Sequence, residues 1–354
     1  MNKRKSISLF TGAGGMDVGF SRAGFNVVWA NEINNDACET YRLNHEGQIE
    51  CGDIRNFIEK LDSHKDIDLV FGGPPCQGFS VAGKMDPNDE RSQLIFSFMD
   101  VVEKVKPKAF VLENVKALAI LDKWAPVRNS LYNRARSLGY DFVELVLLNA
   151  TEYGVPQKRE RMFFIGIKGT SKISKSLTGF RAFLEKYKKT ASPIRELFNQ
   201  LGPVGTARNN KICRAKITLA REPILRRSAY AGMIFNGAGR PIDANGYSNT
   251  LPASMGGNRT PIVDENQIFG GGESWVENYH SMLWAGERPE NIIPPNYLRR
   301  ITVDEASRIQ TFPNDYKFAG KQNSIYSQIG NAVPCELAYV VGAALQEVLD
   351  DEGL

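Results

Sequence analysis

The stretch SLFTGAGGMDVGF, residues 8–20, decides how this chain folds. A short apolar run enters a glycine-bearing loop and leaves it on a helical pattern. That is how a strand hands the chain to a helix while letting a ligand approach the backbone. The dinucleotide pattern G-x-G-x-x-G begins at Gly12 and Gly14 but meets Asp17 where its third glycine belongs. An acid is unwelcome beside a diphosphate and acceptable beside a ligand carrying positive charge. For the loop alone, a plain tight turn is the competing reading.

Outward from this loop the texture is regular to about residue 170. The runs ISLF, VVWA, DLVFGG, AFVLEN, VELVLLNA and MFFIGI are short and apolar, bounded by Gly, Asn or Asp, as buried parallel strands are. Between them lie helical patterns; the clearest joins Leu94, Phe98, Val101 and Val105 and stops before Pro107. Alternating strands and helices predict an α/β fold, a doubly wound, mostly parallel sheet covered on both faces. From about residue 170 to 298 the chain turns basic, then Gly- and Asn-rich, with no helical period, the texture of a smaller loop-rich domain that binds something. Regularity returns after Pro334, where Leu337, Val341, Leu345 and Val348 share a helix face expected to pack back on the first domain. The expected organisation is a first domain over 1–175 completed by 320–354, an inserted domain over 176–298 and a hinge over 299–319.

Composition narrows the class. At 354 residues the chain exceeds one average domain, and 42% hydrophobic residues suffice for a large core. No run of about 18 apolar residues appears, so no membrane span is expected, and the N-terminus lacks the apolar stretch of a signal peptide. Five cysteines, odd in number and without a CxxC spacing, read as free thiols in a reducing, cytoplasmic setting. His45, His64 and His280 form no ligand spacing, so no metal is expected. Between Lys168 and Arg227 there are 15 Lys and Arg against 3 Asp and Glu, a net +12, whereas the remainder holds 29 against 37, a net −8. A basic block in an acidic chain suggests a polyanionic partner, against the plainer reading of a solvated charged face.

Glu32 closes the second strand 20 residues after Gly12, where a carboxylate takes both hydroxyls of a ribose. Asp53, in the next segment, is placed to accept from an adenine amino group. Either acid alone is also a good helix N-cap. Cys76 sits in GGPPCQGFS, residues 72–80, at the end of the strand DLVFGG. Two prolines fix φ and remove backbone donors, which makes a stiff mount that an inert buried thiol does not need. Glu113 ends the next strand in the equivalent place, and partial burial there raises a carboxyl's pKa enough for proton donation. Arg159 and Arg161, two apart ahead of MFFIGI, are expected to point the same way and to hold a carbonyl oxygen or a phosphate.

The order FTGAGGMDVGF, NEIN, GDI, GGPPCQGFS, ENV, QKRERMFFIG, RRITVDEASRIQTFPNDY, QIGNAVP resembles the C5-cytosine DNA methyltransferases of the bacterial restriction–modification type. The likeness covers about residues 6–168 and 299–350 and leaves the region between unmatched. It implies a Rossmann-like, class I S-adenosylmethionine-dependent catalytic domain and an inserted target-recognition domain. By that resemblance Phe10, Gly12, Ala13, Gly14, Gly15, Glu32, Ile33, Asp53, Ile54, Leu94, Asn331 and Ala332 line the cofactor pocket. Cys76 attacks C6 of a flipped-out cytosine, Glu113 contacts N3 and the exocyclic amine, and Arg161 with Arg159 holds the base carbonyl.

The segment 77–93 then reads as a lid over DNA, with Gln77, Ser80, Lys84 and Arg91 as contacts. In the recognition domain Arg226, Arg227, Arg240, Thr250, Leu251, Asn258 and Arg259 are the candidate readers. The expected partner is double-stranded DNA, bound by a monomer that pairs functionally with a cognate restriction endonuclease. Two rivals stand beside this reading. One is the tRNA-methylating branch, disfavoured by the recognition insertion and the lack of a Cys-Phe-Thr tripeptide. The other is a non-catalytic DNA-binding regulator, disfavoured by the intact Cys76, Glu113 and Arg161. With about five residues before the first strand, no added N-terminal regulatory segment is expected.

Overall fold

A computed structural model describes residues 3–75, 90–287 and 292–354. In chain order the first part contains β1 (Lys5–Leu9), α1 (Gly15–Arg22), β2 (Asn26–Glu32), α2 (Asn35–Asn44), β3 (Gln48–Cys51) and β4 (Leu69–Gly72). It continues with α3 (Glu90–Val105), β5 (Ala109–Val115), α4 (Lys116–Ile120), α5 (Ala125–Ser137), β6 (Phe142–Asn149), β7 (Gln157–Lys158) and β8 (Glu160–Ile167). Seven of these strands make one sheet in the order β3-β2-β1-β4-β5-β8-β6. All pairings from β3 to β5 are parallel, and β8 runs antiparallel between β5 and β6. The doubly wound, mostly parallel sheet read from the sequence is therefore present.

Sheet order reverses direction at β1, which has β2 on one side and β4 on the other. Open α/β sheets bind ligands at the carboxyl ends of the strands flanking such a point. Leu9 and Gly72 are register partners there, so the loop after β1 and the Pro-Pro segment after β4 leave from neighbouring strand ends. Apolar strand residues meet a covering helix: Ile7, Leu9, Val70, Phe110, Leu112 and Phe164 pack into one core with Ile95, Phe98, Met99 and Val102 of α3, while Ser6 and Ser8 of β1 are buried as well. Of the predicted α3 face, Phe98 and Val101 are fully buried, and Leu94 and Val105 pack against this core partly exposed.

The chain divides into two compact units. One comprises residues 1–153, 160–189 and 335–354; the other comprises 154–159 and 190–334. The boundaries thus fall near 190 and 335, against 175, 298 and 320 read from composition. In the first unit the C-terminal helix Cys335–Glu352 lies on α1, as expected from its apolar face. The approach is close enough that a Cβ on Gly19 would stand 2.5 Å from Ala338 Cβ, so only a hydrogen fits. The stretch Gln322–Glu352 is the one among the described residues long and apolar enough to cross a membrane, and 72% of its apolar window is buried inside the fold.

The second unit corrects one expectation. Helices Ile194–Leu201 and Trp275–Trp284 lie in the stretch read as having no helical period. Ile194 and Phe198 enter a core with Ile242, Leu251, Met255, Ile301, Ile309 and Tyr326. A capping box, with Thr302 and Glu305 exchanging bonds, starts the helix Val303–Ile309.

The cysteine expectation is corrected as well. Cys38 on α2 and Cys51 at the end of β3 are joined by a disulfide, because the helix packs directly against that strand. Cys213 and Cys335 are free and buried. No group of three or more His, Cys, Asp or Glu that could hold a metal ion occurs among the described residues.

Candidate active site

The loop after β1 is built by left-handed backbone. Phe10, Gly12 and Gly14 have φ of 53°, 55° and 76°, and Gly14 is the N-cap of α1. A Cβ on Gly12 would meet nothing within 4 Å, so its open side can admit a ligand against the backbone. The Gly12 N–H donates to Glu32 Oε2 at 2.8 Å, and Asn34 N–H donates to Glu32 Oε1 at 2.8 Å. Burial raises the Glu32 pKa, against the pull of these backbone donors. Two backbone bonds leave lone pairs on both carboxylate oxygens for a diol. Beyond Glu32, Ile33 is 68% exposed, an apolar side chain held out at the same strand end. An open glycine face, a carboxylate with spare acceptors and an exposed isoleucine fit an adenosine-type ligand.

The remaining loop residues are placed differently. Ala13 and Ile54 are buried, each 1% exposed. Asp53 caps the turn Ile54–Asn56 and pairs with Arg55, whose guanidinium bonds hold the Asp53 carboxyl below its usual range. The capping alternative is thus realised at Asp53, with its side chain still part-exposed. Asp17 needs a correction. Its carboxylate does not face a cationic ligand; it is fully buried on α1 and accepts from Thr11 Oγ1, and burial raises its pKa.

At the ends of β4 and β5 a second cluster forms. Arg161 Nε lies 2.9 Å from Glu113 Oε1, and both side chains are largely buried. A Cβ on Gly73 would stand 2.7 Å from Glu113 Oε2, so the backbone before the prolines runs directly against this carboxylate. Asn114, 1% exposed, donates from Nδ2 to the Pro74 carbonyl at 3.2 Å. Lys116 Nζ pairs with Glu160 at 2.8 Å on the adjoining strand. Cys76, Gln77, Ser80 and Lys84 lie outside the described residues, as does the side chain of Arg91, whose backbone is in the first turn of α3.

Arg159 and Arg161 take different partners, contrary to the shared direction expected from their spacing. Arg159 precedes β8, and its 2%-exposed guanidinium donates to the Gly330 carbonyl at 3.1 Å, with Leu251 O at 3.5 Å. Its neighbour Gln157 accepts from Leu251 N–H at 3.0 Å and donates to Gln310 at 2.8 Å. Gln310 in turn donates to the Ala332 carbonyl at 3.0 Å, next to Asn331 at the end of the helix Gln322–Asn331. Arg159 is therefore a brace inside the second unit, where extended spacing had suggested a partner for Arg161. Sequence reasoning missed Gln157 and Gln310, which carry no periodic signal, and passed over Asn114 although it lies within the quoted ENV.

Among the candidate readers, Arg226, Arg227, Arg240, Thr250, Asn258 and Arg259 are exposed. Leu251 is not: its side chain is 1% exposed in the second unit's core, because its backbone is fixed by Gln157. The basic block also splits. Lys172, Lys186 and Lys189 pair with Asp351, Glu347 and Glu336 of the first unit. Arg208, Lys211, Arg214, Lys216 and Arg221 are exposed on the second.

Sheet order, glycine loop and acid placement define a Rossmann-like methyltransferase. The chain belongs to the C-5 cytosine-specific DNA methylase family, whose model matches residues 4–347. It is 32% identical over 358 aligned residues to the type II methyltransferase M.NgoPII of Neisseria gonorrhoeae, covering 99% of this chain and 97% of that one. It is 31% identical to the type II methyltransferase M.FnuDI of Fusobacterium nucleatum, covering 98% and 96%. The fold matches a prophage-encoded DNA modification methyltransferase of E. coli (TM-score 0.68, 23% identity, 98% and 99% covered). It also matches the Dnmt2 methyltransferase of S. pombe (TM-score 0.66, 17% identity, 99% and 100% covered). The protein is a DNA cytosine-5 methyltransferase that uses S-adenosylmethionine and takes double-stranded DNA as its partner.

Proposed function

We propose that this enzyme methylates a cytosine flipped out of one short duplex sequence, with Cys76 as nucleophile and Glu113 and Arg161 as its catalytic neighbours. The observation that carries this reading is the Glu113–Arg161 pair at 2.9 Å, pressed against Gly73 three residues before Cys76. A cytosine ring inside a stacked duplex cannot be reached, so the base must leave the helix. The Cys76 thiolate then adds to C6, forming an S–C6 bond and moving the ring electron pair onto C5. Glu113 contacts N3 and accepts from the exocyclic amine, and Arg161 holds Glu113 and the base carbonyl in place.

Bound S-adenosylmethionine supplies an electrophilic methyl group for C5. Phe10, Gly12, Ala13, Gly14, Gly15, Glu32, Ile33, Asp53, Ile54 and Leu94 of the first unit would hold it, with Glu32 on the ribose hydroxyls. Loss of the C5 proton to a base and expulsion of the Cys76 thiolate restore the aromatic ring. Gln77, Ser80, Lys84 and Arg91 are the proposed DNA contacts after Cys76, and exposed basic residues of the second unit contact phosphate. The monomer acts beside a cognate restriction endonuclease in the cytoplasm, a reading supported by relatives that are type II methyltransferases.

The test is bisulfite sequencing of mixed-sequence duplex DNA after incubation with labelled S-adenosylmethionine. C5 methylation at one recurring short motif, abolished by Cys76→Ser with cofactor binding intact, is the expected result. Wild-type turnover by Cys76→Ser overturns the nucleophile assignment, and methylation without a recurring motif overturns the restriction–modification reading.

A further inference from the structure

The parallel ladder between β4 and β5 ends with Gly72 opposite Leu112, just where the chain turns towards Cys76. Pro74 and Pro75 contribute no N–H, so this segment cannot build its own backbone network. Its carbonyls nevertheless need donors, and Pro74 is buried. The donor comes from a side chain: Asn114 Nδ2 reaches the Pro74 carbonyl at 3.2 Å. The other end of the same amide is also fixed, because Asn114 Oδ1 accepts from Val115 N–H at 2.9 Å. That bond settles which way the amide faces and aims its NH2 at Pro74. One residue earlier, Glu113 Oε2 occupies the space a side chain on Gly73 would need. Two consecutive residues at the end of β5 thus grip two consecutive residues of the segment that carries the thiol.

We infer that Asn114 is a positioning residue for the reaction: it holds the Pro74 peptide, and through it the segment bearing Cys76, in the attacking arrangement. It touches neither cytosine nor cofactor in this role. The inference rests on Cys76 being the nucleophile. Releasing the Pro74 carbonyl lets the peptide plane swing two residues from the thiol, and a displacement of about 1 Å at a reacting atom is worth roughly a hundredfold in rate.

The variants are Asn114→Asp and Asn114→Ala. Asn114→Asp keeps an acceptor for Val115 N–H and puts a carboxylate oxygen where the donor to Pro74 stood; Asn114→Ala removes both groups without adding charge. Each is assayed in the full-length enzyme for kcat, for KM of S-adenosylmethionine, for covalent trapping on duplex DNA containing 5-fluorocytosine, and for thermal midpoint. The expected result is a fall of at least about tenfold in kcat and in trapping rate for both variants, with cofactor KM within about twofold. Wild-type kcat and trapping in the folded Asn114→Asp protein, whatever its thermal midpoint, overturns the inference and leaves Asn114 a packing residue. Unchanged kcat with a raised KM overturns it too. Cys76→Ser run in parallel separates the two readings: if it still turns over, the nucleophile assignment has failed, and if it is dead while Asn114→Asp is normal, only the positioning role has failed.

Discussion

Glu113 and Arg161 are two rungs out of register on antiparallel strands: Arg161 faces Val115 across the ladder, yet its Nε reaches diagonally to Glu113 Oε1 at 2.9 Å. Diagonal neighbours are within reach of long side chains on one sheet face. Truncating one member of such a buried pair strands the other charge, at a cost of about 3–5 kcal/mol. Arg161→Ala should therefore lower stability by that order in denaturant titration and stop methyl transfer. The double variant Glu113→Gln with Arg161→Met should recover most of the stability and none of the activity. Recovery of both would remove the pair from the chemistry.

Gly12 has φ of 55° and open space where a Cβ would stand. Gly12→Ala should cost roughly 1–2 kcal/mol for left-handed backbone and no more, since nothing clashes. Cofactor affinity, read by calorimetry, should fall by about tenfold or more as the methyl group takes ligand space. Unchanged affinity would place the cofactor away from this loop.

Asp17 gives a pH signature. Burial raises its folded-state pKa above the ordinary 3.8, so the folded protein holds a proton the unfolded chain has already lost. Stability is therefore highest below the unfolded pKa and declines as pH rises through the window up to the folded pKa. Asn keeps an acceptor for Thr11 and cannot ionise. Asp17→Asn should gain stability relative to the parent as pH rises from about 4. A constant difference from acid to neutral pH would contradict the shift.

Arg159 is held by backbone carbonyls inside the second unit. Lysine lacks the planar fork needed to serve them together. Arg159→Lys should destabilise that unit by roughly 2–3 kcal/mol, visible as faster limited proteolysis within residues 190–334.

The split of the basic block predicts a difference in salt dependence. Neutralising exposed Arg208, Arg214, Lys216 and Arg221 should flatten the dependence of DNA binding on log salt by up to about 0.9 for each phosphate they neutralise in the parent. Neutralising Lys186 and Lys189, which are engaged by Glu347 and Glu336, should change stability by about 1 kcal/mol or less and leave the slope alone. Equal slopes for both sets would return the whole block to a solvated face.

What the sequence showed, it showed through local signals. Glycines after ISLF announced the loop, and the apolar runs announced six of the seven sheet strands. The strand QIEC was passed over because four residues of mixed polarity carry no pattern. Which arginine meets Glu113 was illegible, because that depends on β8 being inserted backwards between β5 and β6, a choice of order rather than periodicity. Cys38 and Cys51 stand 13 residues apart, and only the packing of α2 on β3 brings them together. Asp17 was misjudged because helical phase, not the motif, decides whether a residue after a glycine loop faces the ligand or the core.

The glycine packing of α1 on the helix Cys335–Glu352 carries a consequence for how the protein is made. Residues 15–22 leave the ribosome long before the helix that covers them, with nearly all of the second unit synthesised in between. Until that helix arrives, the notch at Gly19 is open, Phe20 is covered only by Phe25 and Phe71, and the loop that α1 anchors lacks its backing. A nascent chain thus carries an unfinished cofactor unit through that whole interval, when exposed apolar surface invites chaperones or aggregation. Closure by a late segment makes translation itself the timer of when this methyltransferase can first engage its cofactor.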